Sequence, residues 1–497
     1  MKKINNIQSV FPILLFTAVV LSNACAKNRI DITEKMKDSI VYLRISHCGY
    51  EQYQPWKNSD ITEGWSVGCA VSKNEVITTA LNVANAVVIE AKRFGQNEFI
   101  PAKIKIVDYE SNLALIELDP NALKKALVPL KFSAKYEKGA EVNFYWLSGI
   151  LQIYSGRGYL DRATVDSSSG FCRTLNFVAA NVSDLTGNGQ LYCIGAEPLG
   201  IACWSNDKEA GIIPAEIING FLEDAKDGSY NGTGAVGFTT TGLLDPALRK
   251  YLKLPQQIQD GVYVSDVYTI GTGSDVLKSG DVLVSIDGFE LNSYGRYIHP
   301  KYDALLFDYL ITGKTAGEKI TFNIWRGGKK EKIKAIVKNF DVSKMLVPWY
   351  DLDSQPQYFI VGGCILQKLT KTYLAARGAD WAGKVEPHIY NYPLNEAFKP
   401  TDERKEIIVL SYVLPANINL GYHGLDQLVV DSINGMKIGS MKDVPKAFAL
   451  NTKAKYDLIE FELNQPKIVL DRAAMQPANL TIAKTYGIDK SVNISSE

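Results

Sequence analysis

Four histidines, His47, His299, His388 and His423, are all the imidazole this 497-residue sequence carries. Acyl transfer by a hydroxyl nucleophile needs a base, for which imidazole is the usual group, and a carboxylate to orient it. Between residues 26 and 230 the only imidazole is His47, inside the first apolar run. A Ser-His-Asp set could form in that stretch only around His47. Lys73 leaves a Ser–Lys dyad open by composition, but no motif surrounds it. Seven cysteines are present: Cys25 near the N-terminus, then Cys48, Cys69, Cys172, Cys193, Cys203 and Cys364. None stands in a C-x-x-C pair, so zinc ribbons and thioredoxin-like redox motifs are not expected. Five of the later six precede residue 230 and one follows it. At least one is therefore unpaired or pairs across domains, and buried apolar thiols are the expectation. There is no H-E-x-x-H pair, EF-hand loop or Walker loop, so no metal or cofactor is expected.

The elements that would position such groups follow from the hydropathy pattern. From residue 38 to about 205 the chain alternates short β-type runs, such as GWSVGCAV and NLALIELD, with Gly and Asn breaks. That spacing predicts an all-β barrel or sandwich. Residues 213–225 have helical spacing and would close the domain, and DGSYNGTG at 227–234 reads as a linker. A second unit over 235–340 runs strand, helix (DPALRKYLKL), strand, a turn ending in LKSGDVLVSIDG, a helix over Tyr302–Ile311, and a hairpin (IWRGGKKEKI). Residues 345–490 repeat the idea loosely. The expected domains are therefore 38–226, 235–340 and 345–490. Lys+Arg and Asp+Glu are both 54, which gives no argument for a nucleic-acid partner. With 46% apolar and 22% charged residues, the body of the chain is that of a globular protein.

Residues 1–24 read as an export signal. Lys2 and Lys3 precede the apolar run VFPILLFTAVVL, too short to span a bilayer. Leu21-Ser22-Asn23-Ala24-Cys25 is a relaxed lipobox, with Leu one place further from the Cys than usual. The expectation is a bacterial envelope lipoprotein acylated at Cys25, with residues 25–37 as a tether.

The order and motifs of these units resemble the Deg/HtrA serine proteases, in particular the plant-type Deg branch. The resemblance implies a mainly β chain with α+β modules: a chymotrypsin-like double β-barrel followed by two PDZ-like domains. In the first PDZ-like unit, Val236-Gly237-Phe238 with Thr239 and Thr240 matches the loop and strand that take a peptide C-terminus as an added strand. In the second, Val361-Gly362-Gly363-Cys364 matches more loosely. At the catalytic positions this sequence departs from the family. Where the family has VLTNAHxV, this chain reads VITTALNV, which puts Leu81 at the His position. Where the family has DxALL, Asn112 precedes LALI. The family's GNSGGP falls on Leu185-Thr186-Gly187-Asn188-Gly189-Gln190, so Asn188, or Gly187 in an ungapped reading, replaces the nucleophile. Gln190 stands where the second Gly is expected.

The resulting expectation is a catalytically inactive Deg/HtrA homologue, exported and lipid-anchored. It would bind peptide C-termini or partner proteins in a scaffolding, chaperone-like or regulatory role in envelope quality control. An active serine endopeptidase with displaced groups and a surface interaction protein are the alternatives. The family is built on trimers, but no trimer-contact motif is recognisable.

Overall fold

The computed structural model describes residues 33–34, 36–167, 170–182, 187–226, 228–450 and 453–494. Cys25, the export segment and Asp184-Leu185-Thr186 lie outside the described residues. Strands β1 (Ile40–His47), β2 (Thr62–Ala70), β3 (Glu75–Thr78), β4 (Ala86–Arg93), β5 (Gln96–Asp108) and β6 (Leu113–Leu118) close in the order β1-β2-β3-β6-β5-β4. A second barrel closes as β10-β11-β12-β9-β8-β7. Its strands are β7 (Glu141–Leu147), β8 (Ile153–Asp166), β9 (Thr174–Ala180), β10 (Leu191–Ile194), β11 (Glu197–Ser205) and β12 (Glu209–Pro214). Closure leaves neither sheet with a free edge to template aggregation. Val41, Leu43, Val76 and Ile116 fill the first barrel, and Phe144, Leu160, Phe177 and Ile212 the second. Val67, Tyr145, Leu191 and Ile201 fill the seam between them. Helix α1 (Ala215–Asp224) buries Ala215, Ile218 and Phe221, three residues apart, in that seam. Burying Ile218 and Phe221 is worth about 1.5–3 kcal/mol each. The following linker is tied down, since the Asp224 carboxylate accepts the Asn231 and Gly232 N–H groups at 2.9 and 2.8 Å.

The next unit is an antiparallel sheet of order β13-β14-β15-β19-β20, with β16 (Phe289–Glu290) beside β15. Its strands are β13 (Phe238–Gly242), β14 (Val262–Val267), β15 (Val282–Ile286), β19 (Lys319–Arg326) and β20 (Lys329–Ile336). Helix α2 (Pro246–Tyr251) starts on Asp245, whose carboxylate accepts the Ala247 and Leu248 N–H groups, with Pro at the first turn. The helix expected over Tyr302–Ile311 does not form. The chain instead makes a hairpin, β17 (Arg296–His299) with β18 (Asp303–Leu306), and only then a one-turn helix α3 (Asp308–Thr312). Asp303 turns left-handed at φ 58°, which starts the return strand. The apolar residues that suggested a helix face the second barrel: Tyr302 lies 5.3 Å from Tyr136 and 5.6 Å from Phe177, ring to ring. One continuous core therefore joins the second barrel to this unit.

The last unit is a sheet of order β27-β26-β24-β23-β22-β21-β28, with β25 (Met436–Lys437) beside β24. Its strands are β21 (Tyr358–Val361), β22 (Cys364–Lys368), β23 (Ile408–Val413), β24 (Leu428–Ile433), β26 (Tyr456–Phe461), β27 (Ile468–Asp471) and β28 (Val492–Asn493). Short helices α4 (Lys371–Ala375), α5 (Pro387–Asn391) and α6 (Asp443–Ala449) and the longer α7 (Arg472–Tyr486) complete it. An aromatic junction binds the three parts. Phe171 of the second barrel lies 4.9 Å from Phe340 and 4.7 Å from Phe398, and Tyr268 lies 4.2 Å from Phe398.

Candidate functional site

Strand β3 ends at Thr78 and runs into a 3-10 turn, Ala80–Val83, that presents Leu81 to solvent at 45% exposure. Asn112 sits just before β6, fully buried, in the left-handed conformation at φ 54°. Its Oδ1 accepts the Leu81 N–H at 3.1 Å, and its carbonyl accepts the Ala80 N–H at 3.2 Å. The Asn112 Nδ2 has no hydrogen-bond partner among the described residues. The chain therefore brings positions 81 and 112 together, but the carboxamide holds backbone rather than a base.

The Asn188 carbonyl accepts the Val67 N–H at 2.8 Å and the Ser66 hydroxyl at 3.0 Å, which lays this loop on β2. Ser66 and Thr78 share a 2.7 Å hydroxyl contact, and the Asn82 side-chain amide donates to Ser66 Oγ at 3.0 Å. Nothing in the sequence marks Ser66 or Thr78 as members of this network, because the link is made across two strands and a loop from the other barrel. Positions 187 and 188 differ in what they can carry. A Cβ on Gly187 would lie 2.4 Å from the Trp204 backbone, so 188 is the one of the two with room for a side chain. Gln190 is buried next to it. His47 is placed elsewhere: its Nδ1 lies 2.9 Å from the Ala84 carbonyl, at the end of β1. Lys73 is exposed in the β2–β3 turn, at the opposite end of β3 from Thr78. The six described cysteines are unpaired. Burial pushes the Cys203 and Cys364 thiols up to about 12, so neither is a thiolate nucleophile near neutral pH.

Glu110, two residues before Asn112, is a buried carboxylate that sequence reasoning missed. It accepts the Cys172 N–H at 2.6 Å and the Tyr350 hydroxyl at 2.9 Å, and burial raises its pKa above the usual carboxylate range. The stretch around Tyr350, MLVPWYDLDSQPQ, is aromatic and acidic rather than Gly/Ser-rich. That composition is the one available signal that it docks instead of swinging free.

In the first PDZ-like unit β13 is the terminal strand, paired to β14 on one side and unpaired on the other. Phe238 is buried, stacked on Phe307 at 5.8 Å; Thr239 is exposed and Thr240 half-buried. Val236 bridges Thr272, and the Gly237 N–H donates to the Thr272 carbonyl at 2.9 Å. As the chain stands, that donor is committed internally. The Gly237 carbonyl accepts the Tyr268 N–H at 2.8 Å, and Thr269 in turn bonds the Phe398 carbonyl.

In the second unit Val361-Gly362-Gly363-Cys364 is a two-residue hairpin turn, not an open loop. Val361 pairs Cys364, with φ of 56° and 85° at the glycines. The Gly362 N–H donates to Asn479 Oδ1 at 2.7 Å, and its carbonyl accepts from Asn419 at 2.7 Å. Strand β21 covers the outer edge of β22, and β28 covers β21. Among the described residues no helix is long and apolar enough to cross a membrane.

Residues 347–494 match the PDZ domain family. Chloroplastic Protease Do-like 2 of Arabidopsis thaliana is 26% identical over 461 residues, 91% of this chain and 74% of that protein. The putative mitochondrial Protease Do-like 3 of the same plant is 23% identical over 464 residues, 89% and 77% of the two chains. Among solved structures, an HtrA-type protease AlgW bound to a decapeptide overlaps 62% of this chain and 98% of its own, at 17% identity and a TM-score of 0.46.

Proposed function

We infer that this chain, a Deg/HtrA-like homologue of the plant Do-like proteases with a PDZ domain, binds peptides or partner proteins and does not hydrolyse them. One observation carries the reading. Where a base and its orienting carboxylate would stand, the Asn112 carboxamide is bonded to the Leu81 backbone, and the side chain it would serve is leucine. Leucine moves no proton, and an amide does not stabilise an imidazolium as a carboxylate does. At the third position only residue 188 has room for a side chain, and it is asparagine. The three together are a degenerate triad.

Binding falls to the free edge of β13, with Val236, Gly237, Phe238, Thr239 and Thr240 as its site. An extended peptide would add there as a further strand, main chain to main chain. The second unit, with β22 covered by its own chain, is a weaker candidate. The domain limits 38–226, 235–340 and 345–490 belong to this reading, as do acylation of Cys25, residence in the cell envelope, a quality-control role and assembly as a trimer. The deciding experiment is incubation of the full chain with unfolded casein and with a fluorophosphonate probe. No cleavage and no adduct are expected. Stoichiometric labelling of a Ser or Thr in residues 38–226 would restore the active-endopeptidase reading.

A further inference from the structure

The outer face of the first PDZ-like unit carries a strip of lysines that peptide binding at β13 does not use. On β20 the two-residue period puts Lys330, Lys332, Lys334 and Ile336 on one face, all exposed. Across the ladder Lys319 opposes Ile336 and Trp325 opposes Lys330. The Trp325 indole N–H donates to the Leu252 carbonyl at 3.1 Å, which lays the end of α2 on that side and adds Lys250 and Lys253. Four nearby carboxylates are already engaged, Asp281 and Glu331 by Arg326 and Asp287 and Glu318 by Lys314. Glu290, on the same face as Lys332 but with β15 and β19 between, is an exposed acid in register with the strip. None of the six strip lysines forms an ion pair among the described residues.

Lysines on an edge strand guard against sheet-to-sheet pairing. That accounts for Lys330, Lys332 and Lys334 alone. Lys319 lies on the inner neighbour, and Lys250 and Lys253 flank the end of a helix, where no edge needs guarding. With Lys+Arg and Asp+Glu equal over the chain, the local excess is a matter of placement, not of composition.

We propose that this strip seats the protein on an anionic phospholipid bilayer, with the lysines over the headgroup phosphates. The sign of the charge calls for an anionic partner. The six strip cations are lysines, compact point charges suited to a fluid array of phosphates; a shaped phosphate or base edge is better held by the arginine fork. Tyr251 at 81% exposure and Ile336 at 47% flank the strip, an amphipathic ring and an aliphatic group suited to the interface. The proposal stands apart from acylation of Cys25: it concerns a second contact, made by charge, that the chain can form without lipid.

The test uses the full chain carrying Cys25→Ser and no acyl group, co-sedimented with vesicles of phosphatidylcholine alone or mixed with phosphatidylglycerol. Binding is expected only to the mixed vesicles and should fall as salt is raised. Lys330→Gln, Lys332→Gln and Lys334→Gln together should lower partitioning on the order of 100-fold at low salt. Lys319→Gln with Lys250→Gln, off the edge strand, should lower it in the same direction and covers the case where the triple variant misfolds. Equal partitioning to both vesicles, or variants that unfold like the parent and bind as well, overturns the proposal. So does retention of polyuridylic acid without binding to phosphatidylglycerol. Failure of the anchor at Cys25 would show separately, as loss of detergent partitioning by the acylatable chain.

Discussion

Asn85 and Asp353 exchange two hydrogen bonds: the Asn85 N–H donates to Asp353 Oδ1 at 2.5 Å, and the Asp353 N–H to Asn85 Oδ1 at 2.9 Å. Both are left-handed, with φ of 55° and 60°, a conformation Asn and Asp tolerate through their short polar side chains. The Tyr109 hydroxyl bonds the second oxygen of Asp353, and Tyr350 bonds Glu110. The stretch between the two PDZ-like units is thereby fastened to the turn that follows Leu81 and to the loop that precedes Asn112. The Leu81–Asn112 pair is flanked by a docked strap.

Restoring the triad letters should not restore hydrolysis. Leu81→His, Asn112→Asp and Asn188→Ser together leave Gln190 in the loop and Thr78 and Asn82 both bonded to Ser66. Casein turnover by the triple variant should stay at background, and intact mass after fluorophosphonate treatment should be unchanged. Turnover approaching that of an active Deg protease would mean the surrounding site is competent.

Glu110 makes stability depend on pH in a stated direction. Burial raises its folded pKa, against the Cys172 and Tyr350 hydrogen bonds that lower it, with Asp108 adding to the rise. The folded chain therefore holds this proton to higher pH than the unfolded chain, whose glutamates titrate near about 4.3. The resulting stabilisation is complete below the unfolded pKa and is lost as pH rises through the folded one. In urea titrations, wild type minus Glu110→Gln should fall with rising pH across that window. Parallel pH profiles would contradict it.

Peptide affinity should be modest, on the order of micromolar or ~8 kcal/mol. Amidating the peptide C-terminus should weaken it. Gly237→Val puts a Cβ 2.8 Å from the Ile270 and Thr272 carbonyl oxygens, so the loop must move and binding should drop sharply. Titration of the full chain with a C-terminal peptide library reads all three effects. Equal affinity for free-acid and amidated peptides would place recognition elsewhere.

Cys25→Ala should shift the protein from the detergent phase to the soluble fraction or stall processing. A wild-type chain found in the soluble fraction would remove the lipid anchor from the proposed function.

The β-rich body was legible as a barrel or sandwich because its strands obey a two-residue period broken by Gly and Asn, which is local information; that it forms two barrels was legible only through family likeness. The pairing of positions 81 and 112 was legible only through family likeness, and the Trp204 backbone that crowds out a side chain at Gly187 but not at Asn188 is something no spacing reveals. The Tyr302–Ile311 stretch misled because its apolar spacing serves a contact with Tyr136 and Phe177 more than 120 residues away. Gly362-Gly363 was a missed local signal: two glycines between apolar runs are the signature of a tight hairpin. The Asn85–Asp353 exchange could not be read at all, because it joins two ordinary polar residues across three units.

The rings of Phe171, Tyr268, Phe340 and Phe398 also bear on modularity. Each aromatic side chain of this size covers about 150–250 Å². A chain stopped short of residue 345 would hand to water the parts of Phe171, Tyr268 and Phe340 that Phe398 covers. Such a truncation would not free a smaller working protein; it would create a sticky one. The units are therefore expected to melt in a single transition and to resist being shuffled, deleted or inherited separately.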